Sequence, residues 1–469
     1  MDAVQGRLPP SEPVEEQPRP DQAGPEPPRR RGGPASGRRW TSWLRLATVE
    51  VAPLRRYRDF RLLSLGQMVS FAGSMITYVA IPYQVYQLTR SSLAVGLLGA
   101  VELAPLLATG LLGGALADAR DRRRMVQLTE LGLAVLSAVL VVNALADQPK
   151  VWVLFAVASL AAALDGLQRP SLEALVPRLV PREDLPAASA LSSLRMSLGM
   201  VGGPALGGLL VAQFGLAVTY TVDVASFMFS LLMLRLMRAV PPSPDAARPS
   251  LRGILEGLRY ARGRQELLGT YVVDIVVMVF GMPTALFPAI SSRYGGAGAL
   301  GLLYAAPSVG SLLANATSGW TGRVHRHGRA ILVAAGLWGA AIAVFGFAER
   351  LWLALALLAL AGAADMVSGI FRLTIWNQTI PDHLRGRLAG IELLGYSTGP
   401  LLGNLEAGAA AAVFGVRVSV VSGGLLSLVG VGVVALAMPV FRTYDAARWS
   451  AGHQPGQATA ESAKGTGPS

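Results

Sequence analysis

Cysteine is absent from this chain, which excludes disulfides, iron–sulfur clusters and thiolate metal sites. Charge is scarce too. Only 15% of the 469 residues are charged, against about 25% in soluble domains, too few to cover a water-exposed surface. Lysine occurs only at Lys150 and Lys464, and histidine only at His325, His327, His383 and His453, whose spacing makes no metal motif. No Gly-Lys-Ser or Gly-Lys-Thr occurs, so there is no phosphate-cradling loop and no sign of direct nucleotide drive. What the chain has instead is apolar: 52% of its residues are hydrophobic and its mean hydropathy is +0.46. The class is polytopic α-helical membrane protein. The net charge of +12 invites a nucleic-acid reading. Its arginines, however, lie in short loops and one tail rather than on a contiguous face, so no nucleic-acid partner is expected.

Residues 1–54 open as a Pro-, Gly-, Arg- and Glu-rich tail expected to be disordered, with an interfacial amphipathic helix expected from Trp40 to Val51. Twelve apolar runs follow, each near the ~20 residues that cross a bilayer. They fall near 61–88, 92–117, 125–146, 150–174, 187–212, 216–238, 267–290, 297–320, 330–348, 351–376, 388–413 and 416–440. Six make a first bundle, 55–239, and six a second, 267–441. Between them runs a linker, 240–266, carrying the basic amphipathic stretch Leu251 to Arg259. Residues 442–469 form a polar tail. Even-numbered links hold Arg122, Arg123, Arg124, Arg178, Arg182, Arg252, Arg326, Arg329 and more, whereas odd-numbered links hold only Arg90, Lys150, Arg293, Arg350 and Arg417. The positive-inside rule then puts both termini and the linker in the cytoplasm. The halves repeat: Asp165 and Asp365, Pro181 and Pro381, and Phe214-Gly215 and Phe414-Gly415 are each 200 apart. Parallel repeats about an axis along the membrane normal are a transporter arrangement, with the substrate site at mid-depth between them.

One loop carries more information than the others. Gly113-Gly114-Ala115-Leu116-Ala117-Asp118-Ala119-Arg120-Asp121-Arg122-Arg123-Arg124 joins the second and third runs. Its glycines let a neighbouring helix approach, its acid can face a helix N-terminus, and its arginines hold it inside. The stretch resembles the helix 2–3 loop of the major facilitator superfamily, roughly G-x-L-A-D-R-x-G-R-R. Gly114, Asp118, Arg122 and Arg123 match, while Ala119 replaces the usual Arg and Asp121 the usual Gly. The resemblance implies a cytoplasmic gate in which Asp118, with Arg122 and Arg123, meets the start of helix 11 near Gly390. In the fifth run, Gly199, Gly203, Pro204, Gly207 and Gly208 resemble the G-x-x-x-G-P-x-x-G-G string seen mostly in proton-antiporting exporters. Pro204 frees a backbone carbonyl, and the glycines permit close helix contact. Ordinary tight packing would also use such small residues. Tyr57-Arg58-Asp59-Phe60-Arg61 and Val180-Pro181-Arg182 are similar to the siderophore- and macrolide-exporter branch, and the likeness spans about 55–441.

Among the acids inside apolar runs, six are singled out: Glu102, Asp165, Asp274, Asp365, Glu392 and Glu406. An Asp at helix centre costs about 2.5–3.5 kcal/mol on insertion scales, so each needs a reason to be there. A proton carrier or cation site is one reading, and an ion pair is the other. Arg169, one turn from Asp165, favours a pair there. Asp274 and Asp365 have no basic residue at i±3 or i±4, which makes them coupling candidates. Glu392, Gly399, Gly403 and Glu406 form one stripe, expected to face the bundle interior. Arg195 and Arg372 are expected to snorkel at the cytoplasmic ends. Gly395-Tyr396-Ser397-Thr398-Gly399 fits a hydrolase elbow, but it lies in a span rather than between strand and helix. The expected whole is an all-α membrane protein of twelve transmembrane helices in two six-helix repeats, not an enzyme. It is expected to be a monomer in a bacterial plasma membrane, with no cofactor or metal, whose partners are a small-molecule substrate, protons and the lipid bilayer. It would export a small amphipathic molecule (drug, siderophore or secondary metabolite) in exchange for protons by alternating access. An importer or uniporter, or a transport-dead scaffold, is the alternative.

Overall fold

The structure is a computed structural model that describes residues 51–119, 121–238 and 259–446; along 111–119 and 382–397 the description covers the backbone. The expected interfacial helix at Trp40 and most of the linker's amphipathic stretch lie outside the described residues, as do most of the two tails.

Long helices dominate. The first four are α1 (Arg58–Thr89), α2 (Ser92–Ala119), α3 (Arg122–Leu145) and α4 (Val151–Leu179). The next helical run, Leu185–Leu236, breaks at Gly215, where φ is +77°. Side chains with a Cβ avoid that conformation and glycine does not, so the chain reverses there, and we label 185–214 α5 and 216–236 α6. After the linker come α7 (Gln265–Phe280), α8 (Ala297–Ala316), α9 (His327–Phe345), α10 (Leu351–Thr379), α11 (Asp382–Phe414) and α12 (Val416–Ala437). Gly415, at φ +87°, separates the last two and is the counterpart of Gly215 in the repeat. By length and apolarity, ten helical segments among the described residues can cross a membrane, counting the bent α5–α6 run as one. Their outer faces suit lipid: Leu436 is 77% exposed and Val413 74%.

The seventh run departs from the expected continuous span 267–290. α7 ends at Phe280, and short helical turns at Thr284–Leu286 and Phe287–Ser291 carry the chain on. Pro283 has no N–H to give a helix, and the groups left at the break find other partners. Trp338 Nε1 of α9 donates to the Gly281 carbonyl at 3.0 Å. Asn404 Oδ1 of α11 accepts from the Ala285 N–H at 3.1 Å and from Thr284 Oγ1 at 2.5 Å.

In the first half α1 packs on the α5–α6 run, and α4 bridges α2 and α3; in the second, α10 bridges α8 and α9, and α12 packs on α7 and α9. The halves meet along two helix pairs, α2 with α11 and the α5–α6 run with α8. Both contacts are backbone to backbone. A Cβ added at Gly208 would lie 2.6 Å from Gly301 Cα, and one at Gly408 2.9 Å from Gly96 Cα. All four glycines lie toward the end of the bundle that carries the α1–α2, α5–α6, α7–α8 and α11–α12 connections.

Candidate functional site

A cavity of about 340 Å³ lies among α1, α2, α3, α4 and α6 of the first half and α8 and α11 of the second. That is within the range of about 300–1,000 Å³ common for small-molecule sites. Much of its wall is aliphatic, with Leu98, Leu133, Leu136 and Val157. Its polar groups are few: Glu102 from α2, Asp165 and Arg169 from α4, Asp223 from α6, and hydroxyls from α1 and α3. Tyr78 and Tyr304 close one side edge to face, with ring centroids 5.4 Å apart. Asn404, which caps the α7 break, lines the same space. An apolar chamber with a few polar groups, bounded by both halves, can hold an amphipathic molecule.

Two of the sequence candidates, Glu102 and Asp165, therefore line one chamber. Asp165 and Arg169 do not make the expected close ion pair among the described residues, though the guanidinium still acts on the carboxylate through space. Both side chains are instead accessible from the cavity. The residue that sequence reading missed there is Asp223, 1% exposed. Thr77 Oγ1 donates to its Oδ2 at 2.6 Å and Ser137 Oγ at 2.7 Å, while Ser226 donates to its backbone carbonyl at 2.7 Å. A second missed acid, Glu130 of α3, is 0% exposed. Its Oε1 accepts from Gln67 Nε2 at 2.5 Å and from Ser230 Oγ at 2.9 Å, and its Oε2 has no hydrogen-bond partner. The available signal was an acid in a helix beside Ser- and Thr-bearing helices. Glu130, close to the arginine cluster, reads instead as the edge of a loop.

The second half corrects one expectation outright. Arg372 does not snorkel: it is 9% exposed and pairs with Asp274 of α7 while reaching Asp365 Oδ1 at 3.4 Å. Asp274 and Asp365 thus share a cation that a search at i±3 and i±4 passes over. Arg372 lies two turns from Asp365 on the same face of α10, and only the packing of α7 against α10 brings Asp274 to it. Nearby, Trp376 Nε1 donates to Thr270 Oγ1 at 2.8 Å, and its ring stacks on Tyr271, which fixes the two helices. Arg195 likewise turns inward, donating to the Gln67 carbonyl at 3.3 Å. Glu406 is half-buried on α11. Glu392, like Gly390, lies outside the described side chains.

The glycine string of α5 serves two neighbours. A Cβ at Gly199 or Gly203 would overlap Phe71 or Met75 of α1, and one at Gly207 would lie 3.0 Å from Ile76 Cα. Gly208 faces α8 instead, and the Pro204 carbonyl lies 2.5 Å from where a Cβ of Gly301 would be. The stripe on α11 does the same for α7, with Gly399 and Gly403 against Met278. Of the loop motif, Gly114 and Asp118 are described in backbone only. Arg123 donates to the Leu234 carbonyl at 2.7 Å and the Arg235 carbonyl at 3.0 Å, and Arg122 to the Ala174 carbonyl at 3.3 Å. Both arginines therefore bind carbonyls of their own half, Arg123 at the C-terminal end of α6, where cations are favoured. Asp121 caps α3, accepting from the N–H groups of Arg123 and Arg124.

The family described as transmembrane secretion effector matches residues 48–468. The chain belongs to this family, within the major facilitator superfamily. An enterobactin exporter of Citrobacter koseri is 29% identical over 391 residues, 83% of this chain and 93% of that protein. The enterobactin exporter of Shigella boydii is 29% identical over 363 residues, covering 77% and 86%. Among solved structures, a bacterial homologue of the iron transporter ferroportin in its inward-facing state superposes with a TM-score of 0.61 at 18% identity, over 82% of this chain and 99% of that one. A bacterial homologue of the lysosomal transporter Spinster, inward-facing and unoccupied, gives 0.63 at 15% identity, over 84% and 98%. These likenesses carry the fold. The family makes the protein a multi-pass membrane transporter of a small molecule rather than an enzyme.

Proposed function

We propose that this protein exports a siderophore or a similar amphipathic small molecule from the bacterial cytoplasm, in exchange for protons, by alternating access of two bundles, 55–239 and 267–441. The observation that carries the reading is the chamber bounded by both halves, apolar with a few acids, in a chain related over most of its length to enterobactin exporters. Close glycine contacts join the halves at one end of the chamber. Toward the arginine-rich end, Leu194, Met196, Leu198 and Met200 of α5 are exposed, which suits a cleft open to the cytoplasm. Asp118 would latch that end against α11 in the opposite state. Among the acids, Glu102 and Asp165 are the better-placed proton carriers, because they reach the chamber while Asp274 and Asp365 hold Arg372.

Two experiments test this. Cells lacking their own enterobactin exporter should secrete a catecholate siderophore when they express this chain. Retention of the siderophore by cells that contain the folded protein would overturn the substrate class. In inside-out vesicles, Asp165→Asn or Glu102→Gln should abolish pH-driven uptake and leave counterflow intact. Uptake that ignores the pH gradient in the wild type would reject proton exchange.

A further inference from the structure

Far from the chamber, on the outer face of the second half, α9 and α10 leave a groove of about 550 Å³. Small side chains make it: Ala330 and Ala334 from α9 and Ala363 and Ala364 from α10 form its bed, and Phe371 lies beneath one end. Val333, 72% exposed, and Leu337 edge it. It runs from Arg329 to Leu337, about 12 Å at 1.5 Å per residue. Its two ends differ in chemistry. One is wholly apolar, and the other carries Arg326, Arg329 and the exposed indole of Trp320. Both arginines are exposed, and neither forms a hydrogen bond or ion pair among the described residues. α9 starts at the same place with no side-chain cap and no acid in its first turn, but Phe441 and Arg442 pack on Gly328 there and Asp445 acts on His327, which leaves the two arginines as the open cations.

We propose that this groove binds an anionic phospholipid, with one acyl chain along the alanine bed and the phosphate between Arg326 and Arg329. Charge complementarity selects the occupant. A transported amphiphile or a zwitterionic lipid would need only the apolar bed, whereas two free cations at one end call for a phosphate with net negative charge. Trp320 sits where an indole favours the interface.

The test titrates phosphatidylglycerol or phosphatidylcholine into the purified full-length protein in detergent and counts bound lipid by native mass spectrometry. Wild type should retain phosphatidylglycerol at concentrations where phosphatidylcholine is lost. Arg326→Gln/Arg329→Gln should weaken phosphatidylglycerol by about 25-fold, taking about fivefold for each arginine at an anionic headgroup. Arg326→Lys/Arg329→Lys should keep most of the affinity, and Ala330→Trp, which fills the bed without touching charge, should lose it. Arg350→Gln removes an exposed cation at the other end of α10, outside the groove, and should change nothing. Equal binding of the two lipids, equal binding by wild type and the glutamine pair, or an equal loss in Arg350→Gln would each overturn the proposal.

Discussion

In the first six helices, Asp223 is held by the hydroxyls of Thr77 and Ser137, and Glu130 by Gln67 and Ser230. In the last six, Asp274 and Asp365 share Arg372. The difference is one of donor chemistry. A hydroxyl rotates and can donate or accept, so it can satisfy a carboxyl group whether that group carries a proton or not. A guanidinium only donates and keeps its charge, so it favours carboxylates as partners. The chamber lies against the first kind of site. The half whose acids can change protonation without orphaning a partner also supplies most of the chamber wall, and the other half supplies a fixed electrostatic brace between α7 and α10.

Breaking the brace should have the largest effect. Arg372→Met leaves two half-buried acids without their cation, which should cost up to about 3 kcal/mol, read as a lower midpoint of thermal unfolding in detergent. Adding Asp274→Asn and Asp365→Asn to that variant should recover most of the loss. A midpoint equal to wild type for Arg372→Met alone would erase the contrast between the halves.

The glycine stripes sharpen the comparison at a smaller scale. A Cβ at Gly403 meets the Met278 carbonyl, which is backbone, whereas at Gly199 it meets the Phe71 ring, which can rotate. Gly403→Ala should cost about 1–3 kcal/mol and Gly199→Ala less, as measured by the same unfolding midpoint. The reverse order would mean that α1 is the stiffer neighbour.

The smallest effect is expected at Asp223. Asp223→Asn keeps an oxygen for Thr77 and Ser137 and should cost about 0.5–1.5 kcal/mol, well below Arg372→Met. A loss as large as that of Arg372→Met would show that Asp223 needs its charge.

Much of the fold was legible because its cause is local. Apolar runs near membrane length, Phe-Gly pairs 200 residues apart at the α5–α6 and α11–α12 turns, and glycine strings on α5 and α11 each report their own helix. Glu102 and Asp165 stood out by their cost in an apolar run, but Asp165 was expected to pair with Arg169, and only the packing puts both acids on one chamber. The break in α7 was less so. Pro82 sits inside α1 without stopping it, and Pro283 differs because Trp338 and Asn404, from α9 and α11, take up the groups it frees. Asp121, which replaces the usual Gly of the loop pattern, has a physical role as the cap of α3.

The sequence by itself determined a helical membrane protein, most of its spans, its repeat and its membership of a transporter superfamily, because hydropathy, arginine placement and glycine spacing act along one helix at a time. Only the tertiary structure decided which acids are paired. Arg372 meets Asp274 across an α7–α10 contact, and Asp223 meets Thr77 and Ser137 across three helices. A side chain's partner on another helix depends on how both helices are rotated and how deep each sits, and spacing within one helix holds no record of either.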